Sequence, residues 1–319
     1  MTDQFGRAIR YMRLSITDRC NLRCRYCMPD GAALCRHSDL LTYEELLQVA
    51  EAAVGLGITR FKVTGGEPLV RRGCVEFLGR MKSLPGVEQV TLTTNGLLLE
   101  PLLPRLAAMG LDGVNISVDA ADPAVYAAIT GSDRLDAVLR AIRASVGSGI
   151  KTKLNCVLLE GCEGQIVPLA RLAAGLAVDV RFIEVMPIGA GAASAGVSSE
   201  AALDILRAEW PDLHGVEEER GNGPARYYAG ARLLGRVGMI DAVSHSFCRG
   251  CNRVRLTSTG WLKPCLCYGE GTDLRAVLRS SPEELPAALR RAVWGKPRAH
   301  CFKEAAEVTE RNMMSGIGG

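Results

Sequence analysis

Cys20-Asn21-Leu22-Arg23-Cys24-Arg25-Tyr26-Cys27, just after the β-like run Arg13–Thr17, decides how this chain is read. Its thiols stand as C-x3-C-x2-C. Offsets of four and seven would share a helix face, but the Asn, Gly and Pro residues around the motif argue for a loop. A loop can wrap three thiolates round one metal cluster. Structural zinc takes four ligands, and the further candidates, Cys35 and His37, are distant. Three cysteines on a 4Fe–4S cluster instead leave one iron open. An open iron can chelate the amino and carboxylate groups of a substrate or cofactor.

The motif heads a repeating pattern. Arg13–Thr17, Arg60–Thr64, Gln89–Thr94, Gly113–Asp119, Lys151–Leu158 and Asp179–Met186 are short and rich in Val, Ile, Leu and Thr, as strands are. Helical stretches separate them. In Thr42–Gly55 a capping box (Thr42, Glu45) precedes the stripe Leu46, Val49, Ala50 and Ala53. In Arg134–Val146 the stripe is Leu135, Val138, Leu139 and Ile142. Repeated βα units mean a parallel sheet. The expected fold is α/β, an incomplete parallel (β/α)6 barrel over residues 1–189, followed by a C-terminal region, 190–319, that completes the barrel mouth. Polar residues gather at the strands' C-terminal ends: Thr64-Gly65-Gly66-Glu67-Pro68, Thr93-Thr94-Asn95-Gly96, Ser117-Val118-Asp119, Lys153-Leu154-Asn155 and Glu184-Val185-Met186-Pro187. Parallel barrels and open α/β sheets both build their sites there.

Composition excludes several classes. The chain has 319 residues, Lys+Arg 38 against Asp+Glu 35, and formal net charge +3. That balance does not suit a nucleic-acid binder. No apolar run approaches a membrane span, and the N-terminus has no secretory signal. A cytoplasmic, reducing setting is expected, where clustered thiols read as metal or catalytic sites. Of the 12 cysteines, Cys74, Cys156, Cys162 and Cys301 stand alone and read as small buried hydrophobes. Gly189–Gly196 contains G-x-G-x-x-S after a strand, but no acidic residue closes a dinucleotide-binding unit, so it reads as a loop. Helices are expected at Ala201–Glu209 and Pro282–Val293, with short strands between Ala201 and Phe247.

Cys248, Cys251, Cys265 and Cys267 form a second group, C-x2-C-x13-C-x-C. With four ligands it reads as a zinc ribbon, with three as a second Fe–S cluster bearing an open iron. Arg253 and Arg255 alternate on a strand and so share one side. Two guanidiniums beside a cysteine-bound metal suit a polyphosphate or carboxylate. No G-x-x-x-x-G-K-[ST] occurs, which argues against a P-loop GTPase.

Cys20, Cys24 and Cys27 with Tyr26 before the last thiol, and Gly65-Gly66-Glu67-Pro68 after the next strand, resemble the radical S-adenosylmethionine (SAM) enzymes. In these the open iron binds SAM, and one electron yields a 5′-deoxyadenosyl radical that takes hydrogen from substrate. The resemblance implies SAM contacts at Gly66 (amino group), Ser117 (ribose or carboxylate), Met186 (backbone, adenine) and Tyr26 (packing on adenine). Adding Cys248-x2-Cys251-Asn252-Arg253-Val254-Arg255 and the terminus Ser315-Gly316-Ile317-Gly318-Gly319, the whole chain resembles the GTP 3′,8-cyclase (MoaA) family of molybdenum-cofactor biosynthesis. That likeness implies a radical SAM barrel whose C-terminal extension carries a second 4Fe–4S cluster on Cys248, Cys251 and Cys265, its open iron on guanine. It further implies GTP contacts at Arg13, Lys62, Thr93, Lys153, Arg253, Val254 and Arg255, and a catalytic role for Arg13, Gly318 and Gly319. Lys62 stands where many members have Arg, and Cys267 lies outside the family pattern. The implied partners are GTP, SAM, an electron donor, the next pathway enzyme (cyclic pyranopterin monophosphate synthase) and a second copy in a homodimer, with neither nucleic acid nor membrane. Two other readings stand beside this one: a radical SAM enzyme with an auxiliary cluster acting on a peptide, and a zinc-binding module.

Overall fold

The computed structural model describes residues 1–29 and 34–318. Six parallel strands lie close to where the sequence puts them: β1 Tyr11–Ser15, β2 Arg60–Thr64, β3 Gln89–Thr94, β4 Gly113–Ser117, β5 Thr152–Leu158 and β6 Asp179–Glu184. The first begins two residues earlier than expected and ends at Ser15. Later come β7 His214–Val216, β8 Arg226–Ala229, β9 Val237–Ile240, β10 Arg253–Leu256, β11 Trp261–Lys263 and β12 Thr272–Asp273. One open sheet orders them β12-β11-β10-β1-β2-β3-β4-β5-β6-β9-β8-β7.

The C-terminal region extends the barrel on both sides. β10 pairs parallel with β1, and β9 parallel with β6. Antiparallel β11–β12 and β8–β7 then finish the two edges. Short strands are expected in both places, but not their parallel pairing onto the two barrel edges, because each is only four residues long and carries no local mark of its partner.

The first helix, Tyr43–Val54, shows how local sequence sets the layers. Glu45 N–H donates to Thr42 Oγ1 (3.1 Å), and Thr42 N–H to Glu45 Oε2 (2.8 Å). Its face Leu46, Leu47, Val49, Ala50 and Ala53 is buried, each larger side chain contributing about 1.5–3 kcal/mol. Cys74–Ser83 and Leu135–Gly147 cover the same sheet in the same way. Pro282–Val293, expected as one helix, is a 3-10 turn followed by the helix Leu285–Trp294. Gly189–Ala193 is a 3-10 turn. No helix among the described residues is long and apolar enough to cross a membrane.

Candidate functional site

The loop after β1 carries the first three cysteines outside any helix or strand. Neighbours hold it on two sides. Arg23 and Arg25 N–H donate to the carbonyls of Thr130 and Ile129 (2.9 and 3.0 Å). Asn95 Nδ2 donates to Asn21 Oδ1 (2.7 Å) and approaches Cys20 Sγ (3.8 Å). The Gly65-Gly66-Glu67 turn lies against it: Gly66 N–H donates to Thr17 O (2.7 Å) and Glu67 N–H to Arg19 O (2.8 Å). A Cβ on Gly65 would stand 2.5 Å from Thr17 O, and one on Gly66 closer still to Arg19 O. Both positions therefore require glycine.

Cys20, Cys24 and Cys27 line a cavity of about 330 Å³ at the C-terminal ends of the strands. Burial first, then nearby Asp119 and the other two thiols, pushes Cys24 well above its ordinary range. Burial and Cys20 push Cys27 up to about 12. Crowded thiols that resist ionising together are what a cationic metal centre relieves, so this donor set fits a cluster. Tyr26 lines the same wall, its hydroxyl donating to Asp119 Oδ2 (2.7 Å), while Asp119 Oδ1 accepts from Val157 N–H (2.8 Å). Gly66, Ser117 and Met186 also line it.

Cys248, Cys251 and Cys265 line the cavity too. Burial alone would raise Cys248, but hydrogen bonds from His300 and Ser246 outweigh it and bring the thiol down to about 7. Burial likewise opposes Cys251, whose pKa Lys296 and Arg253 nonetheless lower. Lys296 Nζ donates to the carbonyls of Arg253 (3.0 Å) and Pro264 (2.5 Å). Arg7 donates to the carbonyl of Cys248 (2.9 Å) and to those of Arg298 and Pro297 (3.0 and 2.6 Å). Among the described residues no three Cys, His, Asp or Glu side chains already converge as a single-ion site.

Cationic side chains fill the barrel interior. In one rung Arg13 lies beside Arg255 on β10 and Lys62 on β2, and Lys62 beside Thr91. Lys153, Arg181 and Arg253 face the same space. Arg13 is lowered to about 10 by burial and neighbouring Arg253 and Arg181. Lys62 lies well below its ordinary range through burial, then Arg181, Arg13 and Lys153. Lys153 is lowered to about 8 by burial and Arg181, although Asp179 at 3.3 Å opposes this. Cations packed until their own charge is disfavoured form a site for a polyanion.

Thr93 and Asn115 share this wall, Asn115 Nδ2 donating to Thr93 Oγ1 (3.4 Å). Val254 differs from the expectation. Its side chain is 1% exposed and joins the main core, because alternation along β10 turns it away from Arg253 and Arg255. The tail does reach the site. Gly318 has φ +76, and a Cβ there would stand 2.8 Å from Ser15 Cβ and 3.3 Å from Thr64 Cγ2. Gly319 lies outside the described residues.

Residues 14–167 match the family model described as the Radical SAM superfamily, and 178–302 that described as Molybdenum Cofactor Synthesis C. The chain is 43% identical over 325 residues to the GTP 3′,8-cyclase of Geobacter sulfurreducens, covering 100% of this chain and 99% of that one. To the GTP 3′,8-cyclase of Clostridium perfringens strain 13 it is 39% identical over 323 residues, covering both chains completely. The chain belongs to the GTP 3′,8-cyclase family. Its fold is that of radical SAM enzymes: Streptococcus suis SuiB bound to S-adenosylmethionine superposes with a TM-score of 0.66 at 14% identity, covering 96% of this chain and 76% of that one.

Sequence reading missed several residues that this cyclase-family cavity gathers. Arg181 Nη2 donates to Asn115 Oδ1 (2.9 Å) and Asn155 Oδ1 (2.6 Å). A buried arginine inside a strand was the available signal, since such a charge needs partners. Arg7 and Lys296 gave no such signal, because both lie in irregular segments and act by clamping distant carbonyls.

Proposed function

We propose that this chain is a GTP 3′,8-cyclase. It converts GTP to (8S)-3′,8-cyclo-7,8-dihydroguanosine 5′-triphosphate, forming a bond between ribose C3′ and guanine C8, the first step of molybdopterin biosynthesis. The observation that carries this reading is that two cysteine trios and a convergent set of cations line one cavity.

Cys20, Cys24 and Cys27 would hold a 4Fe–4S cluster that supplies, with SAM, the one-electron chemistry that starts the reaction. Gly66, Ser117, Met186 and Tyr26 border the space for SAM, and Asp119 fixes the Tyr26 ring. Cys248, Cys251 and Cys265 would hold a second 4Fe–4S cluster against the guanine. Cys267 points elsewhere and does not line the cavity, which supports Cys265 as the third ligand. Arg13, Lys62, Lys153, Arg253 and Arg255 receive the triphosphate as separate charges, so GTP is positioned without a P-loop. Val254 contributes only backbone. Gly318 closes the mouth beside Arg255, and the resemblance extends its catalytic role to Gly319 and Arg13.

The domain division follows the same logic, residues 1–189 forming the radical SAM core and 190–319 the region that completes the mouth. An electron donor, handover to the pterin-forming synthase that acts next, a homodimer and a cytoplasmic setting complete the proposal. The test is anaerobic reconstitution to about eight irons per chain, then incubation with SAM, a reductant and GTP, and identification of the nucleotide. A 3′,8-cyclised product is expected. SAM cleavage without any change in GTP would overturn the assignment in favour of another substrate.

A further inference from the structure

Cys301, which stands alone in sequence, is not alone in space. Its Sγ lies 2.8 Å from Cys267 Sγ, and its N–H donates to that sulfur at 3.3 Å. A disulfide spans about 2.05 Å between sulfurs, so less than about 1 Å of movement separates the pair from a bond. Neither thiol lines the cavity of the two cysteine trios. Cys267 is 0% exposed and sits in a small apolar cluster with Leu266, Phe302 and Ile317, whereas Cys301 is half-buried at its edge.

The two cysteines belong to different segments. Cys267 follows Cys265 in the loop after β11. Cys301 begins the run that ends at Gly318 in the barrel mouth. A bond between them ties the tail to that loop.

We propose that Cys267 and Cys301 are a redox modification site, a dithiol that a low-molecular-weight disulfide converts to a protein disulfide. The accessible Cys301 thiolate attacks the reagent's S–S bond and releases one thiol, leaving a mixed disulfide on Cys301. The Cys267 thiolate then displaces the second thiol. Two protein thiols are oxidised by two electrons, the reagent is reduced to two thiols, and the protons leave with these. Oxidation locks the tail in its seated position, and excess thiol restores the dithiol. The pair's chemistry does not depend on which substrate the cavity takes.

The test uses the reconstituted holoenzyme under anaerobic conditions, treated with glutathione disulfide, acid-quenched, alkylated and mapped by mass spectrometry. The expected result is a chain lighter by two hydrogens, a linked peptide holding Cys267 and Cys301, unchanged iron content, and reversal by excess glutathione. Cys301→Ala, or Cys301→Ser should the alanine variant fail to fold, yields no linked peptide and keeps its iron. A persistent glutathione adduct on wild-type Cys301 without the internal bond would overturn the proposal, as would no reaction at either residue. Iron loss in the Cys301 variants equal to that in Cys265→Ser would also overturn it, by making Cys301 a cluster ligand.

Discussion

Arg255 Nη1 donates a hydrogen bond to the Gly318 carbonyl at 3.1 Å, so a member of the cation cluster holds the chain's own tail. Gly318 sits at φ +76 with Ser15 and Thr64 pressed against it. A methyl group there meets both a disfavoured backbone region and a steric contact. Gly318→Ala is expected to lower product formation at least about tenfold, corresponding to ~1.4 kcal/mol. Iron content and SAM binding stay intact. Removal of Gly318 and Gly319, or a C-terminal tag, acts in the same direction. Full activity in the truncated chain would reduce the tail to a frayed end.

Arg253 and Arg255 offer a second test. Both lie on the cavity side of β10, and Arg253 stacks over Phe247 at 4.8 Å. Replacing either by Ala is expected to weaken GTP binding by about 1.5–3 kcal/mol, the range for hydrogen bonds to charged groups. Equilibrium binding to the reconstituted protein measures this. SAM cleavage without GTP persists. Val254→Ala leaves GTP affinity near wild type and instead lowers stability, because its side chain lies in the core.

The six-strand core was legible because short runs rich in Val, Ile, Leu and Thr alternate with amphipathic helical stripes, and the capping box at Thr42 marks a helix start without ambiguity. The cysteine trios were legible by spacing. The pairing of β10 with β1 was not, since a short strand 242 residues further along the chain (Arg13 beside Arg255) leaves no local mark of its partner. That pairing nonetheless builds the rung Arg255–Arg13–Lys62. Cys301 was misread as a solitary hydrophobe for the same reason, because only the fold of the tail brings it to Cys267.

The cysteines give a third prediction. Cys20→Ser, Cys24→Ser and Cys27→Ser should each abolish SAM cleavage while the second cluster's iron remains. Cys267→Ser should keep close to full iron, since its sulfur faces Cys301 and an apolar cluster. Iron and sulfide analysis of each variant decides both points. Loss of all iron in a single first-trio variant would show the two sites to be interdependent.

Glu67 carries the last prediction. It is 1% exposed, and among the described residues none of its hydrogen-bond partners is a cationic side chain. Asn95 N–H (2.6 Å), Thr94 Oγ1 (2.8 Å) and Leu69 N–H (3.0 Å) donate to its carboxylate. Burial pushes its carboxyl up to about 7, and those hydrogen bonds offset only part of that rise. The folded chain therefore binds this proton more tightly than the unfolded chain does. The associated stability is fully present below the ordinary carboxyl range and is lost as pH rises through about 7. Its upper bound is about 3 kcal/mol, at ~1.36 kcal/mol for each unit of displacement. Glu67→Gln removes the titration. It also sets an amide N–H against a donor, which costs about 1–3 kcal/mol where wild type is protonated. The stability gap between wild type and Glu67→Gln should thus narrow from about pH 5 to about pH 8. Urea unfolding of both proteins across that range measures it. Parallel stability curves would show that Glu67 does not titrate in the folded chain.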